Sequence, residues 1–209
     1  MKQARAVVAR QPVFAAIDFE TADYGRDSAC AVAVVRVEGD RIVRRVHHLI
    51  RPPRKDFVFS YLHGISWNDV VGAPSFRELW PHLKMEFEGV DFLAAHNASF
   101  DRSVLETCCE RARVEPPSNP FECTVRLARS AWGIYPTKLP DVCRHLRIPL
   151  DHHHADSDAE ACARIVIAAA KAGMIVSSPP PSDPRVLPVA RRGPCVARGR
   201  RRPAQRSPR

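Results

Sequence analysis

The sequence predicts an α/β protein in which helices flank a mixed β-sheet. Two strand patterns joined by a four-residue turn must pair antiparallel, because so short a connection leaves no room for a crossover. Further along the chain, a short apolar strand pattern alternates with amphipathic helix patterns, which is typical of a sheet covered by helices. These two observations together indicate one sheet that contains both strand directions.

Three strand patterns come first in the chain. The apolar run Val13–Asp18 is expected to be a buried strand. Cys30–Val37 is rich in alanine and valine, and Ile42–Ile50 follows it across the polar turn Glu38–Arg41. We therefore expect the second and third strands to form an antiparallel hairpin.

A helix begins near Ser75, according to its capping pattern. Glu78 follows Ser75 by three residues, which is the spacing of a capping box. Leu79, Leu83 and Phe87 come next at helical intervals. The remaining elements expected before the last helix are a strand at Asp91–Ala95 and helices at Ser99–Arg113, Thr124–Trp132 and Leu139–Leu146.

The last helix is predicted at Ser157–Ala172. Ser157 and Glu160 have the spacing of a second capping box, and Gly173 is a suitable terminator. We therefore expect the last helix to begin at Ser157, within a segment rich in acidic residues.

Composition divides the chain near residue 177. Residues 177–209 hold eight of the 19 prolines and nine arginines against one acid, a net charge of 9 − 1 = +8. The whole chain carries +9, which leaves 9 − 8 = +1 for residues 1–176. The second segment has almost no apolar periodicity and cannot bury enough surface to offset its ordering entropy. We predict a folded domain at 1–176 and a disordered basic tail at 177–209.

Several classes of protein are excluded by composition. No run approaches the roughly 20 apolar residues that cross a membrane. The basic residues Lys2, Arg5 and Arg10 enclose an apolar run of only four residues, too short for a secretory signal. The seven cysteines include no CxxC pair, so we expect reduced thiols rather than disulfides or structural zinc. We expect a cytoplasmic protein without a membrane partner.

Two acids follow the first strand pattern. Asp18 and Glu20 stand two residues apart, so on a strand they share one face. Carboxylates held together repel each other, and a neighbouring cation is expected. Oxygen ligands of this kind suit Mg²⁺ or Mn²⁺. Taken alone, however, the pattern is better explained as an exposed strand end.

Two further acids are placed at helix starts. Asp101 follows a strand and a polar turn, and by itself would only complement the positive end of a helix. Asp158 lies in the first turn of the last helix. A zinc site on His152, His153 and His154 is the competing interpretation. We disfavour it because adjacent histidines are expected to point in different directions and no thiolate has suitable spacing.

Together these segments resemble the DEDDh exonuclease family, which includes the proofreading subunits of bacterial replicative DNA polymerases. The resemblance covers about residues 14–172. The motif D-x-E-T begins at Asp18, H-N-A-x-F-D spans His96–Asp101, and H-x-A-x-x-D-A spans His153–Ala159. The segment Leu62–Ile65 resembles the family's I-H-G-I. The related DEDDy class requires tyrosine where this chain has His154, so it does not fit.

The resemblance implies a ribonuclease H-like fold and phosphodiester hydrolysis with two divalent ions, Mg²⁺ or Mn²⁺. The implied catalytic residues are Asp18, Glu20, Asp101, His153 and Asp158. Of these, the four carboxylates are the implied metal ligands, and the histidine is the implied general base. The implied contacts to the terminal nucleotide are Thr21, Leu62, His63 and Asn97. Asn97 has a second interpretation, in which it only fixes the turn before the helix.

The predicted function is a metal-dependent 3′-5′ exonuclease that releases nucleoside 5′-monophosphates from DNA 3′ ends, in repair or proofreading. A DNA polymerase is a candidate partner. One alternative is an exoribonuclease that trims RNA, because the 2′-OH is distinguished at only one or two contacts. Another is a catalytically silent nucleic-acid-binding module, although the complete catalytic set argues against it.

Two features depart from the family or lie outside it. Asp156 stands where family members carry an apolar residue, and we expect it to be exposed at the helix start. The basic tail either neutralises phosphates of a nucleic acid or reflects compositional drift, and both interpretations stay open.

Overall fold

The computed structural model describes residues 12–174. The predicted disordered tail at 177–209, and with it the predicted domain boundary, lies outside these residues. Within residues 12–174 no helix is both long and apolar enough to cross a membrane. The six cysteines of this range are all free, as expected.

A five-stranded mixed sheet forms the centre of the domain, with strand order β3-β2-β1-β4-β5. β1 pairs antiparallel with β2, and β2 pairs antiparallel with β3. β4 lies parallel to β1 on its other side, and β5 lies parallel to β4. The strands are β1 (Val13–Thr21), β2 (Ala29–Glu38), β3 (Arg41–Leu49), β4 (Phe92–Ala95) and β5 (Phe121–Cys123). The predicted α/β class with a mixed sheet is confirmed.

The described part of the chain forms seven helices. They are α1 (Ser60–His63), α2 (Trp67–Val70), α3 (Phe76–Met85), α4 (Ser99–Ala112), α5 (Thr124–Trp132), α6 (Leu139–Leu146) and α7 (Ala155–Lys171). α3 and α4 cover one face of the sheet, and α5, α6 and α7 cover the other. Residues 12–174 therefore form two main cores, one on each side of the sheet, and a smaller buried cluster of Ala22, Cys30 and Val70.

β1 contributes to both cores through its alternating side chains. Ile17 and Phe19 pack on the side of α3 and α4. Phe14 and Ala16 pack on the side of α7, where the Phe14 ring stacks on Phe92 at a centroid distance of 5.0 Å. The strand can be apolar on both faces because helices cover the sheet on both sides. Continuing the alternation places the next two residues of the α7 side, 18 and 20, at the end of the strand.

The first capping box forms as the sequence predicts. The Ser75 backbone N–H donates to Glu78 Oε2 at 2.8 Å, and the Glu78 N–H donates to Ser75 Oγ at 3.4 Å. Helix α3 begins at the next residue. Phe87 lies just beyond the helix but is still buried in the core.

The second predicted capping box is wrong. Helix α7 begins at Ala155, two residues earlier than expected. Ser157 Oγ accepts a hydrogen bond from the Asp151 N–H at 2.8 Å, and Glu160 forms an ion pair of 2.6 Å with Arg45 on β3. Ser157 therefore takes its partner from the preceding loop, and Glu160 is shared between Arg45 and Arg164, one turn further along α7, so neither side chain caps the helix start.

Three short elements were not predicted from the sequence. β5 has three residues and α1 and α2 have four each, which is too few to show a period. β5 exists because it extends the parallel edge of the sheet beside β4. These elements depend on tertiary contacts rather than on local sequence.

The side of α7 that faces the sheet is rich in small residues, which lets the helix approach β1 and β2 closely. Ala159 is fully buried there, in the same core as Phe14. Ala170, on the same helix, is exposed. Packing therefore differs sharply between two alanines of one helix.

We predict that Ala159→Leu lowers the free energy of unfolding by about 1–3 kcal/mol, because added methylenes in a filled core force strain. Ala170→Leu is the matched control and should change it by less than about 0.5 kcal/mol. Denaturant midpoints of the two variants check this. Equal midpoints for both variants would show that α7 does not pack against the sheet in this way.

Candidate active site

Four carboxylates converge where β1 ends and two helices begin. Asp18 and Glu20 lie on the α7 side of β1. Asp158 comes from the first turn of α7, and Asp101 from the first turn of α4. The ligand oxygens of Asp18, Glu20 and Asp158 all lie within 4.8 Å of one another. The structure thus brings together acids that are up to 140 residues apart in the sequence.

Asp101 reaches the site from the opposite layer. It is 2% exposed, and its Oδ1 accepts a hydrogen bond from the Phe19 N–H at 3.1 Å. That bond ties the start of α4 to the end of β1. Asp101 stands outside the tight group of three but lines the same groove.

Burial and mutual repulsion both act on these acids. Burial raises the pKa of Asp18 well above its ordinary value, and the charges of Asp101, Asp158 and Glu20 raise it further. Burial, followed by repulsion from Asp158 and Asp101, raises the pKa of Glu20 to about 8. The charged neighbours acting on both groups are all acids. The charge of Arg26 acts to lower the pKa of Asp101, but no side-chain cation among residues 12–174 acts in this way on Asp18 or Glu20.

Asp158 supplies an oxygen that fits a bound cation. Its Oδ2 accepts from the His153 N–H at 3.2 Å and lies 2.9 Å from His152 Nδ1. Its Oδ1 is buried and has no hydrogen-bond partner. Leaving a buried acceptor unpaired costs about 1–3 kcal/mol, which a divalent cation at that oxygen would offset. The oxygen-only donor set matches the preference of Mg²⁺ and Mn²⁺.

The adjacent histidines do not diverge as the sequence suggested. The rings of His152 and His153 stack, with centroids 3.9 Å apart and an angle of 22° between the planes. His153 adopts a left-handed backbone conformation with φ of 70°, and the chain turns sharply there. His154 lies apart from them, 3.7 Å from the Asp151 carboxylate. A site made of all three histidines is therefore not formed, but His152, His153 and Asp158 form a second group that could hold a metal, so the argument from diverging directions was wrong.

His152 is a site residue that the motifs did not single out. Its contact with Asp158 depends on the turn at His153, which no local sequence pattern indicates. His153 itself is half-buried and lines the groove beside the acids. Burial lowers the pKa of His153, with the neighbouring His152 acting in the same direction. The ring is thus a neutral base near pH 7.

A groove of about 350 Å³ leads to the acids. Its walls include Thr21, Leu62 and Phe100, of which Leu62 is 42% exposed. His63 also lines it, but the ring is held by the backbone. Its Nε2–H donates to the Thr21 carbonyl at 3.2 Å, and its Nδ1 accepts from the Ile65 N–H at 3.1 Å. Only the ring surface of His63 is left to face a ligand.

Asn97 has features that suit both a contact to the terminal nucleotide and a residue that fixes the turn before α4. It is exposed and lines the groove. Its φ of 64° is the left-handed conformation that asparagine tolerates well, and its Oδ1 accepts from Ser99 Oγ at 3.3 Å. The residue therefore shapes the turn into α4 and is also accessible. Asp156, as expected, is exposed at the start of α7.

His96 holds the loop after α5 against the end of β4. Burial lowers its pKa to about 4, so the ring is neutral. Its Nε2 lies 3.0 Å from the Thr137 carbonyl, which can only accept, so Nε2 carries the proton. Nδ1 then accepts from Thr124 Oγ1 at 2.8 Å. A neutral histidine thus fixes one wall of the site.

Comparison with known proteins places these features in a family. A family model described as an exonuclease, of RNase T type, matches residues 15–166. The PolC-type DNA polymerase III of Oceanobacillus iheyensis is 33% identical over 161 residues, and that of Bacillus subtilis is 30% identical over 145 residues. These matches cover 72% and 68% of this chain. The chain spans about a tenth of the length of the curated relatives it matches.

Solved structures share the fold. Exonuclease X in complex with 5′ overhanging duplex DNA has a TM-score of 0.63 and 25% identity, covering 76% of this chain and 91% of that one. The nuclease domain of 3′hExo, a DEDDh family member bound to rAMP, has a TM-score of 0.67 and 18% identity, with 79% and 95% covered. The ribonuclease H-like fold implied by the motifs is confirmed.

The buried acids lead to a prediction for the protein in the presence of a chelator. The pKa of Glu20 is raised to about 8 and that of Asp101 to about 7, so the folded state retains protons that the unfolded state has lost. The free energy of unfolding should therefore fall as the pH rises from 6.5 to 8. The lowered pKa values of His48, His63, His96 and His153 act in the opposite direction up to about pH 7.5, because an unfolded histidine titrates near 6.5. The part of the fall that belongs to Glu20 is therefore obtained by comparing wild type with a Glu20 variant.

Urea midpoints measured across that range check the prediction. Glu20→Gln should make the fall shallower, because it removes one titrating group. Glu88→Gln, an exposed glutamate outside the cluster, should leave it unchanged. The same pH dependence in Glu20→Gln and Glu88→Gln would show that Glu20 is not held protonated by the fold.

Proposed function

We propose that this chain, which belongs to the exonuclease family, is a metal-dependent 3′-5′ exonuclease that removes nucleotides one at a time from DNA. The observation that carries the proposal is the buried group of acids at one end of an open groove, with an unpartnered carboxylate oxygen on Asp158. Burying several carboxylates together costs free energy, and a divalent cation bound among them would offset that cost.

The carboxylates divide into two groups as metal ligands. Asp18, Glu20 and Asp158 would hold a divalent ion, because their oxygens already lie within 4.8 Å of one another. Asp101, anchored through Phe19, would complete the site for a second ion. When bound, two such ions stabilise the attacking and leaving oxygens of an in-line displacement at phosphorus. Mg²⁺ and Mn²⁺ are the proposed ions.

His153 is the proposed general base. Its imidazole is neutral, so it can take a proton from the attacking water. The water oxygen bonds to phosphorus as the bond to the 3′-oxygen of the preceding nucleotide breaks, and that oxygen takes a proton from solvent to become the new 3′-hydroxyl. The products are a nucleoside 5′-monophosphate and a strand one residue shorter. Asp158 Oδ2 accepts from the His153 N–H, which keeps the ring beside the acids.

The terminal nucleotide would occupy the groove lined by Thr21, Leu62, His63 and Asn97. DNA is favoured as substrate by the PolC-type relatives and by Exonuclease X with its DNA duplex. RNA is the second candidate, because 3′hExo with the same fold holds rAMP. Because the relatives are DNA polymerases, we propose a DNA polymerase as the partner, in proofreading or repair. The cytoplasm is the proposed location.

The direct test uses matched single-stranded DNA and RNA oligonucleotides labelled at the 5′ end. With Mg²⁺ or Mn²⁺ we expect a ladder of shortened DNA products, and none with a chelator. Asp18→Ala should abolish cleavage and keep the fold, whereas Asp156→Ala, at an exposed acid of the same site region, should cut like wild type. Faster trimming of RNA would assign the exoribonuclease function. Binding without cleavage of either strand would favour a silent binding module.

The two stacked histidines can be separated by mutation. His153→Ala should lower kcat about 10²- to 10⁴-fold without weakening metal binding, since it removes a general base rather than a ligand. His152→Ala should have a smaller effect, because that ring contacts Asp158 at the edge of the site. Single-turnover rates with metal titrations measure both. If His152→Ala lowered kcat more than His153→Ala does, His152 rather than His153 would be the general base.

A further inference from the structure

A second groove, of about 590 Å³, meets the first one at the acids. Its outer wall is the loop between α5 and α6. The two grooves share Asp18, His96, Asn97, His152 and Asp158. The shared residues include two of the carboxylates, so a strand lying across them would have one side of the scissile bond in each groove.

The second groove differs from the first in charge. It is lined by Arg129 and Lys138, whereas neither lysine nor arginine lines the first groove. Within the described range, neither Arg129 nor Lys138 forms a salt bridge. Two cations beside an acidic site are thus available to an anionic ligand.

An exposed aromatic ring stands beside these cations. Tyr135 is 74% exposed, and the Arg129 guanidinium lies 4.8 Å from its ring centroid. One ring face is therefore supported by a cation, which pre-orients the tyrosine. Aromatic rings in basic grooves bind single-stranded nucleic acid by stacking on bases of any sequence.

The loop that carries these groups is firmly built. Arg129 Nε donates to Thr137 Oγ1 at 3.0 Å, and that hydroxyl donates to the Ile134 carbonyl at 2.7 Å. His96 Nε2 donates to the Thr137 carbonyl at 3.0 Å. Thr137 is 7% exposed. The bonds connect the basic wall directly to the end of β4, so its position relative to the acids is set.

We propose that the second groove binds the nucleotides on the 5′ side of the scissile bond. Tyr135 stacks on a base, and Lys138 and Arg129 neutralise phosphates. The inference rests on the proposed function. A terminal nucleotide carries only the scissile phosphate, which the metal site holds, so its groove needs no cation. The rest of the strand carries one further phosphate per nucleotide, and the cations lie on that side.

The test compares substrates that fill one groove or both. The p-nitrophenyl ester of thymidine 5′-monophosphate fills the terminal site and places only an uncharged aryl leaving group, with no further phosphate, toward the second groove, whereas oligothymidylates of two to six residues extend along it. For Tyr135→Ala and Lys138→Ala we expect the ratio of oligonucleotide KM to ester KM to rise about tenfold. Tyr135→Phe and Lys138→Arg should restore it, because they retain the ring and the charge.

A matched control lies on the other face of the sheet. Lys84→Ala removes an exposed lysine of α3 and should leave the ratio as in wild type. Binding of a fluorescein-labelled oligothymidylate to the full chain with Asp18→Ala, followed by anisotropy, gives a readout that needs no cleavage. There Tyr135→Ala and Lys138→Ala should again weaken binding about tenfold.

The possible results distinguish a wrong assignment of the second groove from a wrong proposed function. If wild type hydrolyses the ester and the oligonucleotide, but the ratio does not change in either variant, the second groove is not the strand-binding surface. If wild type hydrolyses neither substrate, the proposed function is wrong, and the anisotropy measurement alone tests whether the second groove binds a strand. Weaker binding in the variants would then support the groove as a single-strand site, and unchanged binding would overturn it.

Discussion

The repulsion among acids at the end of β1 is the interaction on which the site depends. Burial alone makes an ionised carboxylate costly, and a second one nearby adds to that cost. The domain tolerates the arrangement because the four acids are fixed by three different elements, β1, α4 and α7. Asp18 and Glu20 are set by strand alternation, Asp101 by its bond to Phe19, and Asp158 by the first turn of α7. A divalent cation converts the same repulsion into coordination.

The layers of the fold explain why the site is open at this point. β1 is buried on both faces for most of its length, and its polar residues begin only where the covering helices α4 and α7 start. Both helix starts therefore project acids toward the strand end. The loop after α5, held by His96, closes one side without covering the acids. A groove on either side of one acidic centre is the consequence.

Much of this could be predicted from residue spacing. The two-residue step from Asp18 to Glu20 implies a shared strand face, and the four motifs together identify the family. The long strands and helices follow from their periods. The second capping box failed because Ser157 and Glu160 found partners on other elements, which local spacing does not show. The left-handed turn at His153, and hence the stacking of His152, depends in the same way on packing.

We propose that the buried acids bind a divalent cation, which displaces protons that the fold retains on them. Calorimetric titration of the full chain with Mn²⁺ at pH 7, in two buffers of different ionisation enthalpy, tests it most directly. We expect saturable binding with release of protons, because Glu20, with its pKa raised to about 8, must ionise to bind a metal. Asp18→Asn should abolish that binding. Absence of binding in wild type, or binding without proton release, would contradict the claim.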